Sequence, residues 1–139
     1  QRYADELLRV MRPEGLLAVA DWNRRDPSDG GMTRPERWVM RQLLNQWAHP
    51  EFASIKGFRQ NLDNSAHHRG QIVTDDWTQA TLPSWIDSIV EGIRRPWSVL
   101  SLGPKAVLQG LRETPTLLLM HWAFATGLMQ FGVFRIRRD

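Results

Sequence analysis

The sequence predicts an α/β fold, with residues 1–139 forming a single partial domain in which three strands are separated by helices. Three observations carry this. The run Leu16–Ala20 is apolar without a break and follows a helix and a tight turn, the pattern of a strand covered on both faces of a sheet. "QIVTDDW" (Gln71–Trp77) and "LMQFGVFRIRR" (Leu128–Arg138) are strand-like runs in which Ile, Val and Phe recur. The stretches between them repeat apolar residues every three or four positions, as amphipathic helices do.

Taken in order, Asp5–Met11 carries Leu7, Leu8 and Met11 at helical spacing, and "RPEG" stops that helix at its glycine. The strand Leu16–Ala20 ends at Asp21, Trp22 and Asn23. In open parallel sheets that carboxyl edge is where ligands sit. A polar loop follows, and Thr33–Glu36 has the spacing of a capping box with Pro35 in the first turn. The helix behind it places Val39, Met40, Leu43, Leu44 and Trp47 on one stripe and ends at His49 and Pro50. Ser54 caps a shorter helix with Ile55, Phe58 and Leu62, and the polar turn "DNSAHHRG" leads into the second strand. Ser84–Arg95 has Trp85, Ile86, Ile89, Val90 and Ile93 on one side until Pro96 breaks it. A helix from Pro104 carries Val107, Leu108 and Leu111. Thr114 and Pro115 read as the cap and first position of a separate helix, which Gly127 closes before the last strand.

Composition narrows the function. With 42% hydrophobic residues and seven Trp, the chain can build a core. The net charge is only +3, and basic residues are interleaved with acids in "NRRDPSDGG" and "TRPERW", so no nucleic-acid partner is expected. There is no cysteine, which excludes disulfides, thiolate metal sites and a Cys nucleophile and fits a cytoplasmic location. No signal peptide is legible, and Gln1 in place of Met points to a fragment or a processed chain. Thr116–Phe134 is uncharged over a membrane-spanning length, but Thr114, Pro115 and Gly127 punctuate it as a buried helix followed by a buried strand. Three strands leave sheet edges unpaired, and the first strand expects parallel neighbours that this chain does not supply.

These residues carry a resemblance. "ELLRVMRPEGLLAVADW" resembles the helix, turn and fifth strand of class I S-adenosylmethionine-dependent methyltransferases. "DDWTQATLPSWIDSIV" and "GPKAVLQGLRETPTLLLMHWAFATGLMQFGVFRIRR" are similar to the carboxyl half of the tocopherol (prenylquinol) methyltransferases, with Trp22, Pro50, Trp77, Pro83, Trp85, Gly103, Lys105, Gly127, Phe131 and Gly132 in matching places. The resemblance implies the carboxyl-terminal part of a Rossmann-like sheet, with strands five and six flanking an antiparallel seventh. It implies substrate-cap helices at residues 33–62 and 84–126. It also implies S-adenosylmethionine as cofactor, held mostly by residues upstream of Gln1, with no cofactor-binding residue in this chain. The sequence departs from the tocopherol pattern at Asn23 and Arg24, where Cys and His are usual, and in "MHWAFATG".

Methyl transfer from a sulfonium asks the protein to align the acceptor and exclude water, with a base nearby where the acceptor is a phenol. The weighed bases are Asp21, Asp26, His49 and His121. His121 sits in an apolar helix, where a structural histidine is the commoner finding, and His67 and His68 fall in a polar turn. No histidine pair has ligand spacing with a carboxylate, so no metal site is expected. Trp22, Asn23, Trp47, Trp85 and Trp122 are expected to bind substrate, and Trp38 and Trp97 are weighed with them.

The expected acceptor is a small apolar, aromatic or prenylated molecule. The fragment alone is expected to be inactive. The amphipathic Ser84–Arg95 segment is a candidate for peripheral membrane contact, and the open edge of the first strand for a homodimer. The alternative is a non-enzymatic helical module that binds a lipid or a protein partner through its apolar cap.

Overall fold

The computed structural model of the chain describes residues 2–46, 51–67 and 70–138. Two compact units divide it: Gln1–Gly31, Glu51–Thr78 and Met129–Asp139 form one, and Met32–Pro50 with Gln79–Leu128 the other.

The first unit holds the sheet. Its strands are β1 (Leu16–Arg24), β2 (Gly70–Asp76) and β3 (Met129–Arg138), in the order β1-β3-β2, with β3 antiparallel to both neighbours. The last strand in sequence is thus inserted between the other two, as the resemblance implied. Helices α1 (Arg2–Arg9) and α3 (Ile55–Asp63) bury Ala4, Leu8, Phe58 and Leu62 against Ile72, Phe134 and Ile136, with Leu17 and Val19 packed beside them. Phe58 meets Phe134 edge-on at 4.7 Å between ring centroids. Ser54 caps α3 as expected, its hydroxyl accepting the Gly57 N–H at 3.0 Å.

Two strand expectations need correction. β1 runs on to Arg24 and not only to Ala20, because Asp21–Arg24 pair with Met129–Gly132, partners far away in sequence. Among the described residues β1 is also covered on one face only. Leu17 and Val19 join the core, whereas Leu16 is exposed and Ala18, Val73 and Arg135 line an open groove on the opposite face. In the turn before β1 the left-handed position is Glu14, at φ 57°, and not the glycine. Gly15 is needed for space instead, since a Cβ there would stand 2.7 Å from the Arg12 carbonyl oxygen.

The second unit is helical: α2 (Arg34–Gln46), all but the first residue of α4 (Thr78–Arg94), α5 (Pro96–Leu100) and α6 (Pro104–Ala125). The capping box forms as read. Glu36 Oε2 accepts the Thr33 N–H at 2.7 Å, and Thr33 Oγ1 accepts the Glu36 N–H at 3.4 Å. Val39, Met40 and Leu43 of α2 are buried, as are Met120, Ala123 and Phe124 of α6, and α6 packs on both α2 and α5. The expected end of α2 at His49 and Pro50 lies outside the described residues.

The two helices expected on either side of Pro115 are one helix. Thr114 Oγ1 donates back to the Gly110 carbonyl at 2.8 Å, the habit of a threonine inside a helix and not the forward bond of an N-cap. α4 likewise starts earlier than Ser84 and carries Pro83 inside, because Asp76 Oδ1 accepts the Thr78 N–H at 2.9 Å and opens the helix there. Gly127, at φ 72°, follows the end of α6 as expected, its N–H reaching the Phe124 carbonyl. No helix among the described residues is long and apolar enough to cross a membrane.

Candidate functional site

At the carboxyl end of β1 the chain turns through Arg25–Gly31 and is tied to the start of α3. Asp26 Oδ1 accepts the Ser28 N–H at 2.9 Å and the Ser28 hydroxyl at 2.6 Å, and its Oδ2 accepts the Ser54 hydroxyl at 2.6 Å. Lys56 Nζ reaches Ser28 Oγ and Asp29 Oδ1, each at 3.1 Å. The Ser28 hydroxyl, the Ser54 hydroxyl, the Ser28 amide and the Lys56 charge hold the Asp26 carboxyl at about 2, below its ordinary 3.8. A carboxylate that acidic is a poor proton acceptor near neutral pH, so Asp26 fastens the loop and does not suit the work of a base.

Asn23, expected to bind substrate, is 1% exposed. Its Oδ1 accepts the Gly132 N–H at 3.1 Å and its Nδ2 donates to the Ala53 carbonyl at 3.2 Å. The side chain bridges β1 to β3 and to the residue before the α3 cap, which is a structural post. Asp21 is exposed, with Oδ1 accepting the Trp22 N–H at 2.8 Å, and Trp22 is half-buried.

The cofactor implied by the resemblance carries an adenosine, a charged amino acid and a sulfonium, and open α/β sheets hold such groups with a glycine turn after a strand and a carboxylate for the ribose. At the end of β1, Asp21 and Asp26 are each engaged by neighbouring amides, and Gly30 and Gly31 follow the 3-10 turn Pro27–Asp29 and not a strand. The end of β1 does not present that arrangement. No three of His, Asp and Glu among them stand close enough to hold a metal ion.

The second unit contains a groove of about 520 Å³ between α4 and α6, to which α5 adds Pro96 and Leu100. This size falls within the roughly 300–1,000 Å³ of small-molecule sites. From α4 it is lined by Trp85, Ile89 and Ile93, which recur every four residues, and from α6 by Val107, Leu111 and Leu117. The two hydroxyl side chains in its wall are spent on their own helices, Ser88 on the Ser84 carbonyl at 2.7 Å and Thr114 on the Gly110 carbonyl. The wall therefore offers apolar surface. Trp85 Nε1 is buried away from it, without accessible surface or a hydrogen-bond partner. Gly92 and Gly110 also line the groove, and a Cβ on either would point into open space.

Of the residues singled out from sequence, Asp21, Trp22 and Asn23 gather at the end of β1, and Trp85 lines the groove. His121 and Trp122 lie on α6 outside the described groove lining; His121 Nδ1 is buried without a partner and Trp122 is exposed. Trp38 and Trp97 are exposed. Trp47, His49 and His68 lie outside the described residues. Sequence reasoning missed Gly92 and Gly110, although both sit on the lining face of their helices.

No protein-family model matches the chain. Over 136 residues, 98% of its length, it is 50% identical to the 2-methyl-6-phytyl-1,4-hydroquinone methyltransferase of a Synechocystis species, of which it spans 43%, as a carboxyl-terminal part. Among solved structures it is similar to a protein described as a sarcosine dimethylglycine methyltransferase from Galdieria sulphuraria, with a TM-score of 0.73 and 16% identity over 98% of this chain and 46% of that one. It is also similar to a phosphoethanolamine N-methyltransferase from Haemonchus contortus solved with phosphomonomethylethanolamine and S-adenosylhomocysteine, with a TM-score of 0.76 and 9% identity over 98% of this chain and 29% of that one. At those identities the solved structures speak for the fold, which is the carboxyl-terminal part of the class I methyltransferase architecture. The chain spans less than half the length of each of these relatives. The likeness runs through sheet and helices alike, which does not favour the non-enzymatic helical module.

Proposed function

We propose that this chain is the acceptor-binding, carboxyl-terminal part of an S-adenosylmethionine-dependent methyltransferase whose acceptor is a prenylated aromatic quinol. The observation that carries the reading is the apolar groove between α4 and α6, in a chain 50% identical over nearly its whole length to a methyltransferase named for a phytyl hydroquinone. The isoprenoid tail lies in the groove, where each buried CH₂ gains about 0.8 kcal/mol without any polar partner. The cofactor is bound by a part of the longer protein outside this chain. The outer edge of β1, whose described strand pairing is to β3 alone, takes a parallel strand there, and in this chain by itself pairs with a second copy. A quinol with such a tail dissolves in bilayers, so the protein works at a membrane surface.

The two glycines test the groove. Gly110→Phe or Gly92→Leu fills it from a helix position with open space, and replacing a helical glycine raises stability by up to about 1 kcal/mol. Titration with a prenylated quinol and with the same ring lacking the tail reads the result. The reading expects the tailed quinol to bind the native chain and not the filled variants, although these melt at the same or a higher temperature. Equal binding of both quinols, or unchanged binding after filling, overturns it.

A further inference from the structure

We propose that the segment Gly92–Arg112, the end of α4 with α5 and the first turns of α6, is a membrane-docking surface that takes an anionic lipid bilayer. The need for a membrane rests on the prenylated acceptor proposed above; the surface itself is argued from its own residues. Across these twenty-one positions, between Glu91 and Glu113, the sequence holds Arg94, Arg95, Lys105 and Arg112 and no acidic residue. Ile93, Trp97, Leu102, Leu108 and Leu111 each leave more than two thirds of their surface exposed. Cations set among exposed leucines and a tryptophan are the composition of an interfacial segment, in which the apolar groups enter the headgroup boundary and the cations meet lipid phosphates.

Backbone satisfaction makes the same point. Entering the interface costs free energy for every polar group left without a partner. Here the amides of Ser98, Ser101 and Gly103 bond to the carbonyls of Arg95, Trp97 and Leu100. The Ser98 and Ser101 hydroxyls are spent on the Arg95 and Ser98 carbonyls at 2.7 and 2.9 Å. These three amides and two hydroxyls can therefore be immersed while they stay paired within the chain. Arg95 is shared with Glu91 at 2.5 Å, which leaves Arg94, Lys105 and Arg112 as the principal charges offered to lipid. A nucleic-acid strand would use the cations and leave the leucines in water, so the bilayer is the partner that uses both. Ile93, Leu100 and Leu111 also line the groove, so a lipid tail has a continuous apolar route from this surface into it.

Co-flotation of the chain with vesicles tests this, using phosphatidylcholine alone and equal parts phosphatidylcholine and phosphatidylglycerol. Binding is expected to the mixed vesicles, to weaken with salt, and to be lower on phosphatidylcholine alone. Each cation at an anionic surface is worth about fivefold in partition, so Arg94→Gln with Lys105→Gln and Arg112→Gln lowers binding on the order of a hundredfold on mixed vesicles only. Trp97→Ser with Leu102→Ser lowers it more than about tenfold on both vesicle types. Arg41→Gln, on α2, leaves it unchanged. Circular dichroism should show native helix content in every variant, since all these side chains are exposed. Both multiple variants should still bind a prenylated quinol presented in detergent, which separates a failure of this surface from a failure of the acceptor reading. The proposal is overturned if neither multiple variant loses vesicle binding, if Arg41→Gln loses as much, or if an RNA oligomer binds as tightly as the anionic vesicles at the same salt.

Discussion

Asn23 and Gly132 stand 109 positions apart in sequence, and the amide oxygen of one accepts the backbone N–H of the other at 3.1 Å in the interior of the sheet. A Cβ on Gly132 would collide with that oxygen, so the two residues specify each other. Gly132→Ala should expel the Asn23 side chain and cost about 1–3 kcal/mol, the penalty of an unsatisfied buried polar group. Asn23→Ala should cost a similar amount by orphaning the Gly132 N–H. The double variant should lose less than the two single losses added together, because both remove one interaction. Urea midpoints of the four proteins check this.

The Asp26 carboxyl gives an acid-side prediction. Its folded pKa of about 2 lies below the ordinary 3.8, so the charged form is favoured by folding. That contribution is present in full above about pH 4 and is lost as pH falls through about 2. Asp26→Asn should therefore destabilise at neutral pH and flatten the acid limb of the melting temperature against pH. Ser54→Ala should do part of the same and also fray α3, whose first turn it caps.

Thr33→Ala should weaken α2 by about 1 kcal/mol, the usual loss for an N-cap hydroxyl. Glu36→Gln should cost less, since the amide oxygen can still accept the Thr33 N–H at the other arm of the box. Thermal melts followed by circular dichroism distinguish the two.

Trp85→Phe keeps the aromatic surface of the groove wall and removes only the N–H. Affinity for a prenylated quinol should stay within about twofold, with stability unchanged or slightly raised because an orphaned buried donor is gone. Trp85→Ala should cost far more by opening the wall. Isothermal titration of both variants reads the split.

Much of this was legible in the sequence because local signals agreed with the final fold. The Thr33–Glu36 box, the Ser54 cap, the Gly127 stop and the stripe of Trp85, Ile89 and Ile93 each act within a turn or two of helix. What was hidden depended on distant partners. β1 extends to Arg24 only because Met129–Gly132 pairs with it, and nothing near Asp21 announces that pairing. Thr114–Pro115 has the same two letters whether it starts a helix or lies inside one, and only the Thr114 bond to the Gly110 carbonyl separates the cases. Asn23 reads as a ligand residue because it ends a strand, and its bond to Gly132 cannot be inferred from spacing. Gly92 and Gly110 carry no local signal, because glycines inside helices usually read as faults, and here they widen a groove.

Whether the proposed acceptor is the right one is tested most directly by transfer of a labelled methyl group from S-adenosylmethionine by the longer protein that contains this chain. The account predicts label on the tailed quinol, little on the same ring without a tail, and loss of the difference in Gly110→Phe. Label on the tailless ring or on a small amine, with the prenylated quinol untouched, would contradict it.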